Sequence, residues 1–243
     1  MNGLFMSLIG GALVGVASLV GALVIFLNKP LQIQKLQDSF FKLRIDLFLG
    51  VCLFVASIVV NNLNFSAFLI GVFFFHLLRI LMPKILSAMM VNDIEELNAI
   101  QSIAWSMLKI IPLGLATGAA LTFVNAGVGY SLLFALFIMN LIEGSKMAFS
   151  FIFLKSEPVI ATIGISFFSF LIIIASLLAG HISQQSIPLL SIILIFSSGA
   201  LMERTFDETL NFMKTSSSKL LIAPRYVNAI VVMFIFIIWK ELL

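Results

Sequence analysis

An all-α, polytopic membrane helix bundle of eight transmembrane helices, with both termini outside, is the fold class this sequence predicts. Three observations carry that expectation. Eight apolar runs, at about residues 3–27, 47–65, 67–82, 103–124, 129–154, 159–180, 187–202 and 227–239, are separated by short polar breaks. Hydrophobic residues make up 61% of the chain and charged residues 10%, more apolar surface than an aqueous fold covers, so lipid is the expected solvent. Positive charge sits on alternate breaks: Lys29, Lys35, Lys42 and Arg44 on the first, Arg79 and Lys84 flanking the third, Lys155 on the fifth, and Lys214, Lys219 and Arg225 on the seventh, with no Lys or Arg on the second, fourth and sixth. By the positive-inside rule the odd breaks are cytoplasmic, which requires an even number of crossings.

Most runs reach or approach the roughly 20 residues that a helix needs to cross the hydrocarbon core. With no extended hydrophilic segment between them, residues 1–243 are expected to form one transmembrane domain. The first run follows Met1-Asn2-Gly3-Leu4-Phe5 directly; this start lacks the basic region of a secretory signal, so the first helix is expected to be retained. Its small residues between Ser7 and Ala22 include a Gly11/Gly15 pair, the spacing that lets helix backbones approach closely in lipid. Gly114, Ala116, Gly118, Ala119 and Ala120 mark the fourth run in the same way as a central helix with neighbours on several sides. Residues 83–101 form the longest break, with Asp93, Glu95 and Glu96 on a short amphipathic helix from Asn92 that faces water. The seventh and eighth runs are shorter, and Glu203, Arg204, Pro224 and Arg225 interrupt their neighbourhood.

The single cysteine, Cys52, lies inside a run and excludes an intrachain disulfide or a cysteine metal cage. The net charge of +3 describes cytoplasmic loops near anionic lipid and not a nucleic-acid footprint. The expected partner is the bilayer. His76, set among Phe73, Phe74 and Phe75, reads as packed or interfacial, and the scattered methionines, Met89 and Met90 included, as ordinary filling of an apolar bundle. Neither a Ser/His pairing, nor an Asp pair inside a run, nor a glycine-rich phosphate loop is found, so an enzyme is not expected.

Ionisable side chains at membrane depth must find a partner or water, which makes them the default functional candidates. The fourth and fifth runs carry Lys109, Glu143 and Lys146. At about 1.5 Å per residue, Lys109 lies roughly 9 Å in from the start of its run, and Glu143 roughly 20 Å from the opposite end of the next. The two depths match, so adjacent helices would allow a Lys109–Glu143 ion pair. Pro112 removes a backbone donor one turn beyond Lys109, kinking the helix and freeing a carbonyl. Residues 109 and 113, like 139 and 143, are one turn apart and share a face.

The segments Lys109-Ile-Ile-Pro-Leu-Gly114 and Met139-Asn-Leu-Ile-Glu-Gly144 resemble the paired His-Asn-x-Pro-Glu-Gly motifs of the ZIP family of divalent metal transporters, particularly its bacterial members. The resemblance covers nearly the whole chain, with residues 77–83 similar to the basic end of the family's third helix and residues 199–210, with Asp207 and Glu208, similar to its seventh. It implies eight spans with both termini outside, the bacterial inner membrane, a pathway between the fourth and fifth helices through Lys109, Pro112, Gly114, Met139, Asn140, Glu143 and Gly144, and an exit site at Asp207 and Glu208. No resident cofactor is implied; the cargo would be a divalent cation such as zinc, and a homodimer fits the family.

The departures are chemically pointed. The family's first His falls on Lys109, its Asn on Ile110 and its Glu on Leu113; the second His falls on Met139 and the second Pro on Ile142; a further carboxylate of the sixth helix falls on Phe170. Asn140 and Glu143 are what survives of the metal ligands. Zinc takes about four donors, and one carboxylate, one amide and a thioether fall short. The sequence therefore predicts a ZIP-like protein whose metal position is taken by a Lys109–Glu143 pair. The alternatives are a non-transporting membrane component acting through its helix faces or a partner, and a carrier of a different small solute.

Overall fold

The computed structural model describes residues 3–27, 50, 53, 65–87, 94–121 and 126–215, and every element among them is helical. In chain order these are α1 (Gly3–Leu27), α2 (Phe65–Ser87), α3 (Ile94–Leu108), α4 (Ile110–Ala120), α5 (Ala126–Phe153), α6 (Pro158–Gln185) and α7 (Ile187–Thr215). Five stretches are long and apolar enough to cross a membrane: Leu4–Leu27, Ser66–Ile85, Glu96–Ala120, Gly129–Phe153 and Pro158–Ile182. This is the architecture of a multi-pass membrane protein. The apolar part of α7, Pro188–Glu203, is shorter. Of the expected second run only Gly50, Leu53 and Phe65 are described, and the expected eighth run lies outside the described residues.

Helices extend further into the third break than its polarity suggests. α2 continues through Pro83 to Ser87, and α3, starting at Ile94 close to the Asn92 expected to open a short amphipathic helix, runs on past residue 103 into the fourth apolar run. The hydrogen bonds that a helix satisfies within itself favour its continuation past the apolar boundary. α3 and α4 are one path interrupted at Lys109, whose φ of −67° and ψ of −13° remain helical. The interruption follows from Pro112: it has no N–H to give the Leu108 carbonyl, whereas Lys109 N–H still reaches Trp105 O at 3.2 Å and Leu113 N–H reaches Lys109 O at 3.1 Å.

Small residues set the packing. α1 lies against α5 and α6, α4 against α6 and α7, and α2 against α7. The Gly11/Gly15 face of α1 meets Ser176 and Ser169 of α6, and the two serine hydroxyls donate to Ser7 O at 2.8 Å and Gly15 O at 2.9 Å. Nine of the eleven residues of α4 are buried, in keeping with a central helix. Between α2 and α7 the contact is reciprocal: a Cβ on Gly71 would strike the Phe196 carbonyl, and one on Gly199 the Phe68 carbonyl. Outward positions are large and apolar, among them Phe5, Leu23, Phe73, Phe134, Phe167 and Leu178. Serine and glycine inside with phenylalanine and leucine outside is the pattern lipid imposes.

α5 ends on a hydrogen-bonded reversal. Ser156 N–H bonds Phe151 O at 3.1 Å and Lys155 N–H bonds Ile152 O at 3.0 Å, with Lys155 in the left-handed region at φ 52°. This is a Schellman cap, whose left-handed position normally holds glycine because a Cβ costs about 1 kcal/mol there. Pro158 then starts α6 at a position that needs no N–H. Lys155→Gly is expected to stabilise the purified protein by about 1 kcal/mol, read as a higher midpoint of thermal unfolding in detergent; an unchanged or lower midpoint would refute the strained-cap account.

Candidate functional site

Glu143, in the middle of α5, is 1% exposed and receives three donors. Lys109 Nζ lies 2.9 Å from Oε1, Lys146 Nζ 2.8 Å from the same oxygen, and Ser106 Oγ donates to Oε2 at 2.8 Å. The positions follow from helical spacing. Lys146 is three residues beyond Glu143 and shares its face. Ser106 and Lys109 are likewise three apart on the path from α3 into α4, so both point at the same carboxylate. Lys109 is itself 3% exposed, so two fixed positive charges and one fixed negative charge meet inside the helix bundle.

The structure therefore brings Lys109, Glu143 and Lys146 together, and it gives the other site residues singled out from sequence contacts of their own. Met139 is fully buried in the apolar core. Asn140 is also fully buried, but its Nδ2 donates to Leu136 O of its own helix at 2.9 Å, and its Oδ1 has no hydrogen-bond partner among the described residues. Gly114 allows α4 to approach Ala175 and Ile172 of α6, and Gly144 allows α5 to lie on the Ser18 backbone of α1. Both glycines thus act as packing residues. Pro112 is buried and accounts for the interruption beside Lys109. Phe170 is 55% exposed, on the outward face of α6, and contributes no ligand position. Asp207 and Glu208 fall on the last turns of α7, where their side chains lie outside the described ones.

A second ionic cluster joins α2 to α7. Glu203, 2% exposed, accepts from His76 Nδ1 at 2.9 Å and Arg79 Nη2 at 3.2 Å, both through Oε1, while Oε2 has no partner among the described residues. The histidine that reads from sequence as packed or interfacial thus faces a carboxylate. Phe75 beside it is fully buried and stacks edge-to-face on Trp105 of α3, with ring centroids 6.2 Å apart. Sequence reading noted Glu203 only as a polar interruption and did not find Ser106. The i, i+3 relation to Lys109 was the available signal for Ser106. For Glu203 the signal was its place at the end of an apolar run, without any indication of the partner helix.

Between the two clusters lies a cavity of about 480 Å³, walled by α2, α3 and α5 and lined in part by Arg79, Trp105, Ser106, Glu143 and Lys146. Among the described residues no three His, Cys, Asp or Glu side chains converge as a metal centre would require. No protein-family model matches the chain, and no curated protein matches it.

Glu143→Gln would remove the negative charge on which Lys109 and Lys146 converge. It is expected to destabilise the fold by about 3–5 kcal/mol, the usual consequence of breaking a buried ion pair by removing one partner. Lys109→Met should cost distinctly less, because Lys146 and Ser106 still satisfy the carboxylate. Thermal unfolding of both variants in the same detergent checks the ranking, and an equal or reversed order would mean that Glu143 is not held as described.

Proposed function

We propose that this chain is a ZIP-like membrane protein in which Lys109 occupies the place of the transported metal, so that divalent cations do not pass between the helices carrying Lys109 and Glu143. The observation that supports this reading is the buried contact of Lys109 Nζ with Glu143 Oε1 at 2.9 Å. It lies where the resemblance expects a histidine and a glutamate to share a metal. A cation entering there would compete with an ammonium that is covalently tethered and already dehydrated. It would also meet Lys146 on the same oxygen, at 2.8 Å.

The residues do not fit a metal. Both oxygens of Glu143 are taken by internal donors, Asn140 turns its amide nitrogen to its own helix, and Met139 sits in the apolar core. Asn140 Oδ1, without a partner among the described residues, is one neutral ligand atom against the four or so that zinc takes. In the same reading the chain crosses the bacterial inner membrane eight times, with the basic breaks in the cytoplasm and both termini outside, as the alternation of charge supports.

Proteoliposomes holding the purified protein are expected to take up zinc, manganese and iron no faster than vesicles carrying Glu143→Ala. Uptake that disappears with Glu143→Ala would sink the plugged-site reading. Restoring the motif tests the same point from the other side: Lys109→His combined with Leu113→Glu is expected to gain zinc binding by calorimetry. If that variant elutes as a folded, monodisperse species and binds no zinc, the correspondence proposed for α4 is wrong.

A further inference from the structure

The cavity between the two ionic clusters is partly open, and apolar surface makes up the larger part of its lining. Its polar groups nevertheless follow a line. Asn98, Gln101, Ser102 and Ser106 of α3 all border it, and their spacing keeps them on one helix face. That face descends about 12 Å from Asn98 to Ser106, at 1.5 Å per residue. Exposure falls along it: Asn98 is exposed, Gln101 and Ser102 are half-buried, and Ser106 is buried against Glu143. On the opposite wall the side chain of Lys146 is 16% exposed, against 4% for Lys109.

The two ends of the cavity differ. Met82 and Pro83, near the end of α2, and Asn98, near the start of α3, border it beside the polar 83–101 break. Glu143 and Lys146 form its inner end. Past Glu143, away from that break, the bundle is apolar: Met139, Leu136 and Leu132 of α5 and Leu113 and Ala116 of α4 are buried in one cluster. Thr117 and Asn140 on the same stretches donate to carbonyls of their own helices, at 2.7 and 2.9 Å. Ionic groups at membrane depth need partners or water, and water that reaches them lowers the cost of burying their charge. A polar route leads to Glu143 from one side, and an apolar core closes the other.

We propose that this cavity is an aqueous recess, filled by water continuous with the phase at the 83–101 break, which hydrates Lys146 and Glu143 from that face of the membrane only. Several water molecules fit in about 480 Å³, and the α3 line facing the charged wall offers each the two or more polar partners that an ordered water takes. A lipid chain in the same space would lay hydrocarbon against Lys146, Arg79 and the polar face of α3, which is costly. Protons and small hydrophilic solutes therefore reach the Glu143 cluster from one aqueous phase. The inference goes beyond the plugged position and is tested apart from it: zinc uptake would refute the plug, whereas labelling from the far face would refute the one-sided recess.

Thiol labelling of the full chain in membranes tests this. Cys52 is the single cysteine, so a Cys52→Ser background takes one cysteine at a time: at Ser102 or Ser106 in the recess, or at Thr117 in the apolar core beyond it. Glu157, exposed on the reversal that follows α5, serves in the same way as the marker of the recess's own face. Maleimides add to a thiolate, which forms where water reaches and not in apolar surroundings. N-ethylmaleimide is therefore expected to label Ser102→Cys and Ser106→Cys at least about tenfold faster than Thr117→Cys. The membrane-impermeant 2-sulfonatoethyl methanethiosulfonate, applied beforehand to intact cells or to inside-out vesicles, should block both from the face on which it blocks Glu157→Cys and not from the other. Ser106→Cys alters a donor to Glu143; if that variant does not fold, Ser102→Cys, which belongs to neither cluster, decides the outcome. The proposal is overturned if Ser102→Cys and Thr117→Cys label at the same rate, the result expected of a dry or lipid-filled groove, or if Ser102→Cys is blocked from the face opposite Glu157→Cys or from both.

Discussion

A single buried carboxylate organises this bundle. Glu143 is buried in the bundle, and its charge is tolerable there because donors from the α3–α4 path and from its own helix converge on it. That requirement sets geometry as well as charge. Ser106 and Lys109 must stand one turn apart on a helix whose register against α5 places both within 3 Å of one side chain. Sliding α5 by a turn, about 5.4 Å, would break all the interhelical contacts to Glu143 at once. Pro112, one turn beyond Lys109, causes the interruption that falls at Lys109 itself, where the helix path can adjust its direction so that the ammonium meets the carboxylate.

Close backbone contact supplies the rest of the frame. In lipid no hydrophobic force presses helices together, so shape and hydrogen bonds do. Ser169 and Ser176 of α6 each donate to a carbonyl of α1, and Ser145 of α5 donates to Gly21 O at 2.9 Å. These bonds pin α1 between α5 and α6 and thereby hold α5 in the position that Glu143 needs. Gly144, adjacent to the charge, belongs to this frame: its backbone lies against Ser18 of α1, while the preceding residue, Glu143, turns its carboxylate to the α3–α4 path.

Much of this was legible in the sequence because lipid leaves a coarse and strong signature. Apolar runs locate α1, α5 and α6 within a few residues, and charges at matching depth pair Lys109 with Glu143. What stayed illegible has physical reasons. The end of α2 lies in polar sequence, and so does the stretch through which the helix expected from Asn92 runs on into the fourth apolar run; hydropathy falls at the membrane boundary whereas a helix need not. The roles of Gly114 and Gly144 were ambiguous because a motif glycine and a packing glycine look alike; only the neighbouring backbone, Ile172 and Ala175 for one and Ser18 for the other, separates them. The His76–Glu203 contact joins residues 127 positions apart, and no local spacing encodes such a pair.

On the proposed reading, the charges around Glu143 make electrostatic sense as a set. A divalent cation bound to Glu143 would bring two positive charges into the bundle and take them out again when it left. Lys109 and Lys146 bring two positive charges permanently, on the same oxygen. In the proposed reading the local field is therefore kept while the exchange is lost, which explains how Glu143 can persist after the histidines and the second glutamate have gone: its counter-charge is now part of the chain.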